Sequence, residues 1–324
     1  MAATDEPAIL GTIGRKRLCF ALSGIDGLLQ TSTIRTYDVG TTTGVSAALM
    51  SFQRDIGLAN LPRRSAIAVA GLARGDAISI THTRWFLSRS GLNAMLGQPP
   101  LILNDFAAEA WGMCSAGARM QESFGGDAKP NLQTPGCYVV LGITSGLGVA
   151  VLNRSQTGTV TVLPTEAGHS AFAAVSEELA QLVSDLTANR HPAATEEIVS
   201  APGLLSIYNL IAKRRGASPR ARTPEDITRT VQSDPIARAA CEMLSRAFWA
   251  QAGNLVMTFG AWDGVIVTGK LATAMRPILA QASAQALFAV SAKHRRVLEG
   301  VPRTLITLEH AELVGVAEAL RGAS

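Results

Sequence analysis

Short apolar runs alternate along the chain with stretches in which apolar side chains recur every three or four residues. In the first hundred residues, the runs typical of β-strands are 18–22, 31–39, 65–71, 77–81 and 99–103. Helical spacing is clearest for Val45, Leu49, Phe52 and Ile56, which share one face of a helix. The pattern predicts a mixed β-sheet with helices.

The same alternation begins again after a helix that ends near residue 113. The later runs typical of strands are 137–141, 148–152, 160–163, 263–269 and 304–308. Between them, Ser176, Thr223 and Asp234 each stand where a helix N-cap is expected, and proline follows the last two at the first helical position. A sheet with helices that occurs twice suggests two similar α/β domains around a cleft.

The composition fits a folded chain that is long enough for two domains. Of the 324 residues, 47% are hydrophobic and 17% are charged, and a domain has about 150 residues as a rough guide. A disordered chain is therefore excluded.

The formal charge of +4 raises the question of an anionic partner. Several of the 29 Lys and Arg residues lie close together in one stretch, at Lys213, Arg214, Arg215, Arg220 and Arg222. Because no aromatic residue is interleaved with them, a solvated loop is favoured over a nucleic-acid surface. We therefore expect no nucleic-acid partner.

The 4 cysteines lie far apart without a Cys-x-x-Cys pair, so neither a zinc site nor a disulfide framework is indicated. We expect a reducing, cytoplasmic location and no protein-bound metal. The uncharged run 130–153 is interrupted by prolines and glycines, which is typical of strands and turns rather than a membrane helix. The first residues also lack the basic and apolar segments of an export signal.

Five polar side chains stand out as candidate ligand groups. Asn104 and Asp105 follow a buried strand, Glu166 and His169 come about sixty residues later, and Glu196 follows. Carboxylates, an amide and an imidazole together suit a ligand with many hydroxyl groups, such as a sugar. Asp105 could serve as a general base or as a helix N-cap, and position alone does not decide. His169 alone is more often structural, and Glu196 alone is more often a first-turn helix residue.

Glycine-rich turns are candidate phosphate sites. The run 142–148 places hydroxyls and bare backbone N–H groups between two strands, where they could hold a phosphate. An ordinary hairpin turn has the same appearance and is the more common case. Gly269 and Lys270 after a later strand are weaker still as a signal.

Several segments, taken in order and spacing, resemble the bacterial glucokinase family. They are residues 103–106, 142–150, 163–169, 196–208 and 253–255. The resemblance covers nearly the whole chain. It implies a two-domain actin-like (ribonuclease H-like) fold of the hexokinase type with a central cleft. With it we predict a small domain of residues 1–110, joined by a C-terminal helix 309–324, and a large domain of residues 111–308.

The resemblance also implies a reaction and its residues. The ligands would be glucose and ATP with Mg²⁺. Whether the chain forms a homodimer is left open by the resemblance. Asn104, Glu166, His169 and Glu196 would hold sugar hydroxyls, and Asp105 would bind the sugar and remove the proton of its 6-hydroxyl. The residues that would meet the nucleotide are Gly11, Gly14, Ser145, Gly146, Gly148 and Gly269. The cysteine-rich zinc motif of the related repressor and kinase group is not present.

The chain departs from the family pattern at the first phosphate turn, which corresponds to residues 11–19. Thr12 stands at the acidic position, Arg15 at the second glycine and Lys16 at the threonine. Thr144 also stands where the second turn normally has glycine. Two functions therefore remain. One is an ATP-dependent glucokinase in which Lys16 and Arg17 partly replace the lost metal-linked charge stabilisation, with turnover slower by about 10²- to 10³-fold for one lost charge-stabilising contact. The other is a sugar-sensing pseudokinase without phosphoryl transfer.

Overall fold

The computed structural model describes residues 6–81, 83–127, 129–188 and 192–323. They pack as two compact units. Unit 1 contains the described residues up to Ala118 together with those from Leu308 onward, and unit 2 is Arg119–Thr307. The domain limits expected from the sequence, at residues 110 and 309, stay a prediction.

Strands and helices alternate along both units. The strands are β1 (Ile9–Ile13), β2 (Arg17–Ser23), β3 (Leu29–Asp38), β4 (Ser65–Val69), β5 (Ala77–Ser79), β6 (Phe86–Ser88), β7 (Leu101–Asn104), β8 (Arg119–Gly125), β9 (Gly136–Ile143), β10 (Leu147–Arg154), β11 (Val160–Pro164), β12 (Gly264–Thr268) and β13 (Arg303–Thr307). The helices are α1 (Val45–Asp55), α2 (Arg89–Leu96), α3 (Asp105–Gly112), α4 (Glu177–Thr187), α5 (Thr195–Ile198), α6 (Ala201–Arg214), α7 (Pro224–Thr230), α8 (Pro235–Phe259), α9 (Lys270–Ala274), α10 (Arg276–Leu279), α11 (Ala282–Gln285), α12 (Arg295–Gly300) and α13 (Ala311–Gly322). Ala167–His169 forms a single 3₁₀ turn.

The large sheets of the two units have the same topology. Unit 1 has the order β3-β2-β1-β4-β7, and unit 2 has β11-β10-β9-β12-β13 with β8 added at the edge. In each, the first three strands run antiparallel and the next two run parallel to the first. The repeated sheet-and-helix arrangement expected from the sequence is therefore present.

Alternating side chains give the unit 1 sheet two packed faces. One face contacts α1 and α2, where Phe20 meets Phe52 at a ring distance of 5.8 Å. The other face is lined by small residues such as Ala21, Ala66 and Ala68, and it packs against α3 and α13. Because alanine leaves little side-chain bulk, these two helices lie close to the sheet.

The core of unit 2 is built around α8. Trp249 on this helix is fully buried, its indole N–H donates to the Leu279 carbonyl at 3.0 Å, and its ring meets Phe124, Phe248 and Phe288 edge-on. Aromatic rings in such arrangements stabilise a core beyond their buried area. No helix among the described residues is both long and apolar enough to cross a bilayer.

The helix starts follow the local chemistry of the sequence. Ser176 caps α4, Thr223 caps α7 in a capping box with Asp226, and Asp234 caps α8. In each case the side-chain oxygen accepts from a backbone N–H that has no partner within the helix. The expected N-caps are confirmed at these three positions.

Some elements were not anticipated. β1 includes residues at which the family resemblance places the start of a phosphate turn, and this strand is the centre of the unit 1 sheet. It contains glycine and threonine in an otherwise short apolar run, so its strand signal was weak. The strands β6 and β8 and the helix α2 were likewise not predicted.

The contact between α3 and α13 depends on two glycines. A Cβ atom on Gly315 would clash with the carbonyl oxygen of Ala108, and one on Gly112 would lie 2.7 Å from the carbonyl oxygen of Ala311. The helix backbones therefore touch directly. This contact joins the C-terminal helix to the helix that begins at Asp105.

We expect Gly315→Ala to destabilise unit 1, because the added methyl group must push the two helices apart. Overpacking of this kind costs about 1–3 kcal/mol or more. Chemical denaturation measures the free energy of unfolding, and Gly322→Ala on the same helix is the control, since its nearest neighbour would be the edge of the Trp111 ring at 3.3 Å. Equal stability of the two variants would contradict the direct backbone contact.

Candidate functional site

In unit 1, the end of β7 and the start of α3 place Asn104 and Asp105 side by side. Asn104 is the N-cap of α3: its amide oxygen accepts from the N–H groups of Phe106 at 3.0 Å and Ala107 at 3.1 Å. Its amide nitrogen donates to the carbonyl of Gly71 at 3.2 Å. The cap role that had been open for Asp105 therefore belongs to its neighbour.

Asp105 is the first residue of the helix and is partly buried. One carboxylate oxygen accepts from the N–H of Phe106 at 2.8 Å. The positive end of a helix favours a negative charge at this position. The local structure thus holds a carboxylate at the carboxyl end of a sheet strand, the edge at which ligands bind in open α/β sheets.

Another carboxyl group lies close to this position but was not anticipated from the sequence. Glu312, in the first turn of α13, has its pKa raised to about 7 by burial and by the charges of Asp105 and Glu109. At neutral pH this carboxyl is therefore partly protonated. Only the packing of α13 on α3 brings it near, so no local motif could have revealed it.

In unit 2, the three other candidate side chains come together. His169 Nδ1 lies 3.2 Å from a carboxylate oxygen of Glu196, and His169 Nε2 lies 3.6 Å from Glu166. The side chains of His169 and Glu166 are 61% and 51% exposed, and that of Glu196 is 32% exposed. Two carboxylates and an imidazole are thus accessible on one surface.

Backbone contacts hold these groups in place. Thr195, which precedes Glu196, donates through its N–H at 2.9 Å and its hydroxyl at 3.0 Å to the carbonyl of Ser170. Gly168 packs so closely on the start of β10 that a Cβ atom there would clash with the carbonyl oxygen of Leu147. The turn with Glu166 and His169 is therefore fixed to the strand, and α5 is fixed to the turn.

The same surface includes the hairpin turn between β9 and β10. Its Thr144 N–H donates to the carbonyl of Gly146 at 3.0 Å, and its Thr144 carbonyl accepts from Ala201 at the start of α6 at 2.9 Å. A Cβ atom on Gly146 would lie 2.7 Å from a carboxylate oxygen of Glu196. Ser145 is exposed, and Gly148 is the second residue of β10.

A second glycine lies against this hairpin. Gly269, between β12 and α9, has φ of 100°, and a Cβ atom there would clash with the carbonyl oxygen of Ile143. A residue with a side chain is strained at such a φ value. The exposed hydroxyl of Ser145 and the glycine backbone at Gly146 thus lie at one turn, an arrangement suited to a phosphate.

The first candidate nucleotide turn lies in unit 1. Gly11 is buried inside β1, where a Cβ atom would lie 2.9 Å from the ring of Phe20. Gly14 lies in the short β1–β2 turn and donates to the carbonyl of Arg17 at 3.0 Å. Gly11 therefore provides packing room in the sheet, whereas Gly14 is at the accessible turn.

Within the described parts of the chain, no group of three or more His, Cys, Asp or Glu side chains is arranged to hold a metal ion. The cysteines at residues 19, 114, 137 and 241, all of which the structure describes, form no disulfide. The expected location, assembly and residue roles are tested by none of these observations and stay predictions.

Comparison with known sequences gives a consistent result. A profile of the family described as Glucokinase matches residues 9–323. A glucokinase from Stenotrophomonas maltophilia (strain R551-3) is 32% identical over 325 residues, which cover 98% of this chain and 96% of the relative. A glucokinase from Xanthomonas campestris pv. campestris (strain B100) is 30% identical over 323 residues, with the same coverage of both chains.

Solved structures are similar over almost the full length. Glucokinase from an Antarctic psychrotroph has a TM-score of 0.81 at 22% identity, covering 97% of this chain and 98% of that one. Balamuthia mandrillaris glucokinase in complex with glucose has 0.79 at 19%, covering 97% and 93%. A ROK family glucokinase from Streptomyces griseus in complex with glucose and AMPPNP has 0.64 at 18%, covering 98% and 99%. The expected two-domain actin-like fold is confirmed.

Replacement of Glu312 by glutamine should make stability less sensitive to pH. Its pKa is about 7 in the folded chain against an ordinary value of 4.5, so between these values the unfolded chain ionises while the folded chain keeps the proton. Ionisation therefore lowers the free energy of unfolding as the pH rises. Relative to the wild type, the free energy of unfolding of Glu312→Gln should rise by roughly 1–3 kcal/mol as the pH increases from 4.5 to 7. The difference should persist above pH 7.

Denaturant unfolding at several pH values measures this difference. Glu318→Gln, on the same helix, is the control, because Glu318 pairs with Arg321 at 3.0 Å and should show no such gain. A pH-independent difference between Glu312→Gln and the wild type would contradict the raised pKa.

Proposed function

Because the chain belongs to the glucokinase family, we propose that it transfers the γ-phosphoryl group of ATP to the 6-hydroxyl of glucose. The observation that carries this proposal is the grouping of Glu166, His169 and Glu196 beside the turn at Gly146. Hydroxyl-binding groups and an anion-binding turn are then neighbours on one surface. A phosphoryl transfer to a sugar requires both.

The sugar would be recognised through its hydroxyl groups. Ionised Glu166 and Glu196 only accept hydrogen bonds, so each can accept from sugar hydroxyls, and His169 can donate or accept. Asn104 already uses its amide oxygen and one amide N–H within unit 1. Its second N–H can donate to a hydroxyl oxygen.

Asp105 would act as the general base. Its carboxylate takes the proton of the 6-hydroxyl while that oxygen forms a bond to the γ-phosphorus and the bond from phosphorus to the β–γ bridging oxygen breaks. ADP leaves with the electron pair of the broken bond. The position at the start of α3 and the hydrogen bond that the Phe106 N–H donates to the carboxylate orient Asp105 for this step.

The nucleotide would contact several backbone turns. In unit 2 these are the β9–β10 hairpin turn with Ser145, Gly146 and Gly148, and the turn at Gly269. Gly269 lies directly against the carbonyl of Ile143 in the hairpin. In unit 1 the β1–β2 turn at Gly14 would contribute, with Gly11 acting through the packing of β1. The Streptomyces griseus relative is described as bound to AMPPNP, which supports ATP as the donor.

The residues at the β1–β2 turn do not fit a Mg²⁺ ion. This ion prefers carboxylates together with phosphate oxygens, whereas Arg15, Lys16 and Arg17 lie at the turn, and Thr12 in the preceding strand β1 stands where the family has an acid. We therefore assign no step of the reaction to a protein-bound metal. This departure also favours the second candidate function, a sugar sensor without phosphoryl transfer.

Formation of glucose 6-phosphate, followed in a coupled assay, separates the two functions. If Asp105 is the base, Asp105→Asn should lower kcat by about 10²- to 10⁴-fold and leave the KM for glucose near that of the wild type. Asp26→Asn is the control, since Asp26 only accepts from the Leu28 N–H in an exposed turn. Absence of glucose 6-phosphate formation by the wild type would leave only the sensor, whereas equal turnover by the wild type and Asp105→Asn would exclude Asp105 as the base.

Glucose binding, measured by calorimetry without nucleotide, tests the sugar site independently of turnover. A hydrogen bond to a charged group contributes about 1.5–3 kcal/mol, so Glu196→Gln should weaken binding by about 10- to 100-fold. Glu197→Gln removes the same charge from the next residue, whose side chain is exposed on α5, and should bind like the wild type. Similar affinities for the two variants would exclude Glu196 from the site.

A further inference from the structure

The β1–β2 turn carries consecutive cations at its tip. β1 ends at Ile13 and β2 begins at Arg17, and the backbone between them is closed by the hydrogen bond from Gly14 to Arg17. Arg15, Lys16 and Arg17 are all exposed. The turn is tight, so the charged side chains project from neighbouring backbone positions.

These cations have little opposite charge to neutralise them. Arg17 faces Asp38 in the register of β2 and β3, and one oxygen of Asp38 also accepts from the N–H of Gly40 at 2.7 Å. For Arg15 and Lys16, the described residues include no side-chain ion pair or hydrogen-bond partner. The positive charge of the turn is therefore available to an external anion.

The side chain at the family's acidic position has no charge. Thr12 is 8% exposed and lies within β1, with Cys19 and Ala68 as its neighbours across the sheet. A hydroxyl is a weaker ligand than a carboxylate for a hard divalent cation. Relative to the family pattern, this segment thus lacks one negative side chain, at Thr12, and has two additional positive ones, at Arg15 and Lys16.

Guanidinium and ammonium groups can meet phosphate oxygens directly. Such charge-assisted hydrogen bonds are about twice as strong as neutral ones, and arginine can contact a phosphate with two N–H groups. A triphosphate without a metal ion carries more negative charge than its Mg²⁺ complex. It should therefore gain more from two nearby cations than the complex does.

We propose that Arg15 and Lys16 bind the phosphates of the nucleotide directly, so that nucleotide binding by this chain does not require a divalent cation. The inference rests on the proposed function, because it concerns the nucleotide of that same reaction. It goes beyond that function in one respect, because the positive charge of protein side chains takes the place of the positive charge of a metal ion. Binding of metal-free ATP should also weaken as salt is added, since these cations are exposed.

Calorimetric titration of ATP into the full chain, without sugar, measures this binding with excess EDTA and with excess Mg²⁺. For the wild type, the two Kd values should agree within about 5-fold. Lys16→Ala should weaken metal-free ATP by about 10-fold, the loss typical of one charged hydrogen bond, and should weaken the Mg²⁺ complex less. The double variant Arg15→Gly with Lys16→Thr, which has the family residues at these two positions and keeps Thr12, should weaken binding of metal-free ATP further than Lys16→Ala does.

Arg54→Ala is the matched control. Arg54 is an exposed cation of unit 1 in the last turn of α1, and it donates to the hydroxyl of Ser51 at 3.1 Å. Its removal changes the net charge by the same amount and should leave both Kd values unchanged. The thermal unfolding midpoint of each variant checks the fold, and it should stay at the wild-type value because these side chains are exposed.

The results distinguish a failure of this inference from a failure of the proposed function. Two results would overturn the direct role of the cations: loss of wild-type ATP binding in EDTA, or a Lys16→Ala variant that binds ATP like Arg54→Ala. If the wild type still turns over with Mg²⁺ in either case, the proposed kinase function is unaffected. Absence of ATP binding in both conditions, with glucose still bound, would overturn both the inference and the kinase. Tight metal-free binding that Lys16→Ala weakens selectively supports the proposal.

Discussion

The arrangement in unit 2 depends on close backbone contacts on both sides of one hairpin. Ile143 and Leu147 pair across β9 and β10 just before and after the turn, and the carbonyl of each lies against a glycine, Gly269 and Gly168 respectively. Neither position has room for a Cβ atom. Because both neighbouring segments touch the hairpin directly, the turn, the imidazole and the carboxylates are held on one surface by steric constraint rather than by side-chain hydrogen bonds alone.

A similar constraint acts in unit 1, where Gly315 and Gly112 let α13 and α3 touch. The consequence there is electrostatic. The close contact brings the carboxyl of Glu312 near Asp105. Burial and the neighbouring negative charges raise the pKa of Glu312, so that this carboxyl is partly protonated near neutral pH. The same fold presents exposed cations on the β1–β2 turn. Carboxyl groups and cations thus occupy separate elements of this unit, which suits a base in one place and an anion-binding turn in another.

Much of the fold could be predicted because its signals are local. The strands from β9 to β11, the helix α1 and the caps at Ser176 and Thr223 follow from apolar period and capping chemistry over a few residues. The strand β1 could not be predicted, although it is the centre of its sheet. Its glycine is required by the ring of Phe20, a partner on the next strand, and a contact of this kind leaves no periodic trace in the sequence.

The sequence by itself determined the family, the repeated α/β order, the candidate polar residues and the altered charge of the first turn, because these depend on residue identity and spacing. Only the tertiary structure decided that Asn104 rather than Asp105 caps α3, that His169 lies between two carboxylates, and that Glu312 lies near the proposed base. Those facts depend on which distant segments touch. Contact between segments is set by how side chains fill space in the folded chain, and spacing along the sequence does not specify it.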